Sequence, residues 1–306
     1  MQKKSESHSL PLITTVGDAI QWGADHFEGA GLYFGHGFDN AWDEAANLVL
    51  YVLSLAWDSD SDVLYRELTE KEKVKISHLY DRRIKEQIPS AYLVGEAWFA
   101  GLKFLVDSRV LVPRSPIAEL IENQFTPWLS QAPKTILDLC TGSGCIGIAC
   151  AHSFPEAEII LSDISTDALA VAGQNISLHQ VSNRVKSIES DLFAGLDDKT
   201  FDLIVSNPPY VDIEDLSSMP KEYHHEPEIG LASGSDGLDF TRRLLREALQ
   251  HLSDTGVLIV EVGNSWVALD DAFPNVPFLW LEFERGGHGV FMLTADQLRE
   301  YHKEFL

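Results

Sequence analysis

Asp138-Leu139-Cys140-Thr141-Gly142-Ser143-Gly144-Cys145-Ile146-Gly147 closes an apolar run that begins at Thr135. The run reads as a buried strand. Gly142 and Gly144 permit a tight turn and close backbone approach to a ligand, and a helix opening behind them presents free N–H groups. The spacing of Gly142, Gly144 and Gly147 matches a nucleotide-binding fingerprint, which alone is a weak signal. From Lys134 onward, strand and helix patterns alternate. Candidate strands are 135–139, 158–162, 185–189, 201–206, 256–262, 277–284 and 290–293, with helices at about 145–153, 165–179, 238–253 and 264–272. Such alternation predicts an α/β fold with a doubly wound, Rossmann-like parallel sheet. Seven strands ending in an antiparallel pair suit a methyltransferase-type sheet better than a dinucleotide dehydrogenase.

The other strand ends carry polar residues in order. The second ends in Asp163, about twenty residues beyond the glycines, where a carboxylate can take both ribose hydroxyls. The third ends in Asp191-Leu192-Phe193, which offers a carboxylate to an adenine amine and an apolar cover to the ring. The fourth ends in Ser206-Asn207-Pro208-Pro209-Tyr210. Two prolines fix φ and remove two donors, leaving the carbonyls of Asn207 and Pro208 as rigid acceptors. The Asn207 amide adds an acceptor and donors, and Tyr210 adds a flat face. This suits a planar nitrogen bearing two hydrogens, either an amide or an exocyclic base amine. Hydride transfer has no use for such a clamp, whereas methyl transfer from a sulfonium gains from aligning nucleophile and methyl. Each strand end alone is more often structural than functional, but four in succession at carboxyl ends mark a ligand site.

The chain has 306 residues, 45% of them apolar, so a sizeable core is expected. Lys and Arg number 23 against 47 Asp and Glu, a formal charge of −24. That field repels phosphate backbones and favours basic partners. Cys140, Cys145 and Cys150 are an odd set at a spacing that fits no zinc pair, so they read as small buried residues in a reducing, cytoplasmic setting, and no metal site is expected. Residues 1 to about 9 read as a frayed tail with no apolar leader, and no run is long enough to cross a bilayer. Amphipathic patterns predict helices at 15–27, 39–55, 63–68 and 70–86. The aspartates of 58–62 resemble a calcium loop but lack its glycine and glutamate, and read as a solvated turn. Short strands are expected at 92–95, 97–99, 102–106 and 110–112, followed by a helix capped by Ser115 that runs to about Phe125. The domains expected are 1–88, helical and substrate-recognising; 89–132, a β-hairpin linker with a connecting helix; and 133–306, catalytic. The connection from Val211 to Leu238 is long enough for a lid, and His224-His225-Glu226 within it reads as a lid or substrate-facing loop rather than a metal site.

Several stretches resemble the peptide-glutamine methyltransferases that modify release factors and a ribosomal protein. The resemblance runs from about Ile88 to the C-terminus. It rests on the glycine loop after Asp138, on Asn207-Pro208-Pro209-Tyr210, on His225 to Leu238 and on the linker Ser90 to Phe104. It implies S-adenosylmethionine as cofactor, held at Cys140, Thr141, Gly142, Ser143, Gly144, Asp163, Asp191, Leu192 and Asn207. It implies a glutamine side chain held at Asn207, Pro208, Pro209 and Tyr210. Release-factor members carry Pro-Arg-Pro-Glu-Thr-Glu where this chain has Pro113-Arg114-Ser115-Pro116-Ile117-Ala118-Glu119, which is similar to the branch acting on the basic ribosomal protein uL3. Release factors are the alternative substrate. An adenine-amine nucleic-acid methyltransferase and a non-catalytic ribosome assembly factor are remoter alternatives, the first opposed by the negative charge. Release-factor members also show glycine where this chain has Cys140. The change is harmless if the backbone there avoids a glycine-only conformation.

Overall fold

Thr15 caps the first helix, α1 (Val16–Gly29), by accepting from the Asp18 N–H, while the Asp18 carboxylate accepts from the Thr15 N–H. Such reciprocal bonds satisfy donors that a helix start leaves free. Asn40 caps α2 (Ala41–Leu53), and Thr69 with Glu72 repeats the capping box on α3 (Glu70–Glu86). The segment expected as a helix at 63–68 is a single 3₁₀ turn, Ser61–Tyr65. The structure, a computed structural model, describes residues 13–197 and 199–306. The tail read over residues 1 to about 9 lies outside the described residues. Among those described, no helix is long and apolar enough to cross a membrane.

The chain divides into two units. The first contains the described residues up to Gly95 together with Pro220–His225, and the second contains Glu96–Met219 and Glu226–Leu306. In the first unit α1, α2 and α3 bury one apolar cluster that includes Ile20, Phe27, Leu48, Ile76 and Tyr80. The Tyr80 hydroxyl donates to the carbonyls of Ala19 and Ala45 at 3.0 and 3.3 Å. Arg83 is 1% exposed and sits between two carboxylates. Its Nε and Nη2 fork onto the two oxygens of Glu44 at 2.9 and 3.2 Å, and its Nη1 donates to Glu222 at 3.1 Å. Tyr33 completes the cluster, its N–H donating to Glu222 and its carbonyl accepting from Arg83, both at 2.9 Å.

Residues 92–95, expected as a strand, instead belong to a short helix, α4 (Ser90–Val94), closed by Gly95 at φ +74. Pro89 starts that turn and Gly95 supplies the left-handed stop, so local cues outweighed the apolar content. The second unit opens with the hairpin β1 (Glu96–Phe99) and β2 (Leu102–Leu105), whose turn residues Ala100 and Gly101 both have positive φ. Residues 110–112 form no strand. The helix α5 (Ile117–Glu122) stops short of Phe125.

The main sheet has seven strands: β3 (Thr135–Leu139), β4 (Glu158–Asp163), β5 (Val185–Glu189), β6 (Phe201–Ser206), β7 (Leu252–Glu261), β8 (Leu279–Trp280) and β9 (Val290–Thr294). Their order is β5-β4-β3-β6-β7-β9-β8, the first five parallel and β9 antiparallel to both neighbours. The strand expected over 277–284 shrinks to two residues at this edge. Helices α6 (Cys145–Ser153), α7 (Thr166–Leu178), α8 (Ile213–Ser218), α9 (Asp239–Glu247), α10 (Trp266–Ala272) and α11 (Ala295–Glu300) complete the unit. Along β6, β7 and β9 alternate residues enter different clusters. Leu203, Ile259 and Met292 join one, and Ile204, Leu258 and Phe291 join the other. Both sheet faces are therefore buried, which is the condition for a parallel sheet.

Candidate active site

Four strand ends are laced together by short polar bonds. Thr141 N–H donates to the carbonyl of Ser162 at 3.0 Å, tying β3 to β4. Ser190 N–H donates to the carbonyl of Asp163 at 2.9 Å, tying β4 to the residue after β5. Ser206 Oγ donates to the carbonyl of Leu139 at 2.6 Å, tying β6 to β3. These bonds set the glycine loop, Asp163, Asp191 and Asn207 in a row along one edge of the sheet, at the point where strand order reverses.

The glycine loop is held from below by Asp138, which is fully buried. Its Oδ2 accepts from Thr141 Oγ1 at 2.5 Å and from the Gly147 N–H at 2.8 Å. A Cβ at Gly147 would stand 2.9 Å from that of Asp138, so only glycine lets the helix come this close. Burial, less the effect of these two bonds, pushes the Asp138 carboxyl up to about 7. Gly142 has φ +54, and a Cβ there would meet nothing within 4 Å, so the loop opens onto free space. Asn175 of α7, which the sequence did not single out, braces the loop by donating to the carbonyl of Ser143 at 2.8 Å.

Cys140 has φ +60, in the left-handed region that favours glycine but admits other residues at a cost, so the backbone is strained there without being closed to a side chain. Leu192 shares this state at φ +52. Non-glycine residues held there cost roughly 1–2 kcal/mol each, and such strain gathers at ligand sites. Burial, reinforced by nearby Asp163, Asp138 and Asp191, pushes the Cys140 thiol far above its ordinary value, so it stays neutral. Asp163 accepts from the Gly142 N–H and the Ser165 N–H, both at 2.9 Å, one on each oxygen. Each oxygen retains a lone pair for a further donor. Asp191 is exposed and paired at 3.0 Å with Arg243, a partner 52 residues away in sequence.

At the end of β6, Asn207 is half-buried, and its amide makes no hydrogen bond among the described residues. Tyr210 is hydrogen-bonded through both its backbone and its ring hydroxyl. Ser265 Oγ donates to its carbonyl at 2.7 Å, and its hydroxyl donates to Glu261 Oε1 at 3.1 Å. Glu261 ends β7, is 5% exposed, and accepts from Ser115 Oγ at 2.5 Å on its other oxygen. Sequence reasoning passed over Glu261 because a carboxylate closing an apolar strand looks like a solvated strand end. Burial pushes Glu261 up to about 7, against the opposing pull of Ser115, Tyr210 and the charge of Arg114.

Glu226 is also not the lid residue expected from the sequence. Its carboxylate is buried, accepting from Arg114 Nη1 and Nη2 at 2.6 and 2.5 Å and from the Val112 N–H at 2.9 Å. It fixes the stretch 112–115 that delivers Ser115 to Glu261. His225 lies in the other unit, with its Nε2 2.9 Å from the carbonyl of Glu86.

The raised carboxyl of Glu261 predicts a pH effect. With its ordinary value at 4.5 and its folded value at about 7, it contributes stability that is full below pH 4.5 and is lost as pH rises through 7. The loss approaches about 3 kcal/mol above pH 7. Glu261→Gln removes this titration. Its thermal midpoint relative to the parent chain is expected to rise between pH 5 and pH 8, and a constant difference would show that Glu261 is ionised throughout.

The fold and the laced strand ends are those of a Rossmann-like methyltransferase domain, and the family model described as "Methyltransferase small domain" matches residues 120–220. The ribosomal protein uL3 glutamine methyltransferase of Francisella tularensis is 51% identical over 296 residues, covering 96% of this chain and 94% of that protein. Its counterpart from Neisseria gonorrhoeae is 47% identical over 288 residues, covering 94% and 96%. A methyltransferase structure from Pyrococcus furiosus shares 20% identity and a TM-score of 0.46 over 64% of this chain and 89% of that one. The chain belongs to the ribosomal protein uL3 glutamine methyltransferase family.

Proposed function

We propose that this chain methylates the side-chain amide nitrogen, N5, of a glutamine in ribosomal protein uL3, with S-adenosylmethionine as methyl donor, and that it works in the cytoplasm. The observation that carries the reading is the Asn207 amide, half-buried and without a hydrogen bond among the described residues, beside Tyr210, whose hydroxyl and carbonyl are both bonded. The near-full-length likeness to two uL3 glutamine methyltransferases selects the substrate.

The residues present fit the cofactor. Gly142 faces open space, Asp163 keeps acceptor capacity on both oxygens, and Cys140 and Leu192 hold the tight turns around it. Cys140, Thr141, Gly142, Ser143, Gly144, Asp163, Asp191, Leu192 and Asn207 would hold it. When bound, it supplies an electrophilic methyl group. The work of this chain is alignment. The Asn207 side chain and the carbonyls of Asn207 and Pro208 accept from the two N–H groups of the glutamine amide. Pro208 and Pro209 keep those acceptors rigid, and the Tyr210 ring covers the amide plane. An amide nitrogen is a poor nucleophile, and holding its hydrogens aims its lone pair without a strong base, the surplus N–H proton leaving to solvent after transfer. The charge of −24 suits a basic ribosomal protein and opposes phosphate backbones, so direct nucleic-acid binding has no part in the reading.

Transfer of labelled methyl to purified unmodified uL3, with the site located by mass spectrometry, tests the proposal. Label on release factors alone would keep the chemistry and change the substrate. Asp163→Ala is expected to weaken cofactor binding by roughly 10-fold or more, the cost of a lost charged hydrogen bond. Isothermal titration checks this, and unchanged affinity would remove Asp163 from the ribose role.

A further inference from the structure

Ser115, Glu261 and Tyr210 form one chain of hydrogen bonds at the end of β7. Glu261 is buried at the end of β7, and each of its oxygens takes one hydroxyl, Ser115 at 2.5 Å and Tyr210 at 3.1 Å. A buried carboxylate is costly unless its partners are fixed. Here both are. Ser115 stands next to Arg114, which Glu226 grips through both oxygens at 2.6 and 2.5 Å. Tyr210 has its carbonyl bound by Ser265 at 2.7 Å, and its ring lies over Gly263, where a Cβ would stand 2.5 Å from Cε2. The ring is thus clamped at its base, beneath its face and at its hydroxyl. Only the last clamp depends on Glu261.

Resting on the reading of Tyr210 as the cover of the substrate amide, we infer that Glu261 is a positioning residue, which sets the tilt of the Tyr210 ring through its hydroxyl, and that Ser115 orients Glu261 for this task. Glu261 touches no substrate. It narrows the motion of the aromatic wall of the amide site. Losing it lets the ring rotate off the amide plane, which lowers the rate of an alignment-limited reaction more than it lowers affinity.

The test is a double-mutant cycle on methyl transfer to unmodified uL3, with Tyr210→Phe and Glu261→Ala made singly and together. Assayed above pH 8, where Glu261 is ionised, each single variant is expected to lose roughly 30-fold in kcat/KM, the scale of one hydrogen bond to a charged group. The double variant should lose no more than Tyr210→Phe alone. Glu261→Gln keeps an acceptor for the tyrosine and should recover to within about threefold of the parent. Cofactor affinity should be the same in all. Additive losses, or a folded Glu261→Ala variant that keeps its full rate, would overturn the positioning role. If Glu261→Ala fails to fold, the cycle runs on Ser115→Ala and Tyr210→Phe, and additivity there overturns the role equally. Failure of the parent chain to label uL3 would instead strike the functional reading itself, so the two failures are distinct.

Discussion

Asn207→Ala is expected to lower methyl transfer to uL3 by about 100-fold or more, near 3 kcal/mol of transition-state stabilisation, the range for a lost preorganised hydrogen-bond group. The local structure should survive the change. The strand end is anchored by Ser206 on the Leu139 carbonyl, the following prolines fix the backbone, and the Asn207 amide holds no other part of the protein among the described residues. The loss should therefore fall mainly on turnover, with cofactor affinity falling less. Single-turnover transfer of labelled methyl, alongside calorimetric cofactor binding, separates the two. Turnover within a few-fold of the parent would end the amide-clamp mechanism.

The second large effect lies in the helical unit. Arg83→Met leaves Glu44 and Glu222 buried with no cation between them. Removing one partner of a buried ion pair costs about 3–5 kcal/mol, because the charge left behind stays desolvated. Hydrogen exchange across α1, α2 and α3 should rise accordingly. Adding Glu44→Met and Glu222→Met to the same chain should restore much of the protection, since apolar side chains of similar volume tolerate such sites. If Arg83→Met exchanges like the parent, the guanidinium is not what holds these carboxylates.

Much of the catalytic sheet was legible because its central parallel strands, buried on both faces, read as continuous apolar runs, and glycine, aspartate or asparagine marked where they stopped. Short elements were harder. Tyr92 to Val94 has strand composition, yet Pro89 and Gly95 make it a helix. The run over 277–284 has four consecutive apolar residues, Phe278 to Leu281, but lies at the sheet edge and pairs at only two positions. In the candidate site, residues at strand ends were visible because local spacing displays them. Glu261, Ser115 and Arg243 were not, since each acts through a partner distant in sequence. Cys140 looked like an ordinary substitution for glycine, and no local pattern reveals that its φ stays positive.

The membership of Pro220–His225 in the helical unit bears on the order of synthesis. Nascent chains usually fold domain by domain from the N-terminus as they leave the ribosome. Here the three long helices emerge early, with Arg83 facing Glu44 but lacking Glu222. That glutamate is translated only after β3, β4, β5 and β6. The first unit to be made is therefore the one that must wait. Its Arg83–Glu222 ion pair closes only when β6 and the Asn207 that follows it have already left the exit tunnel.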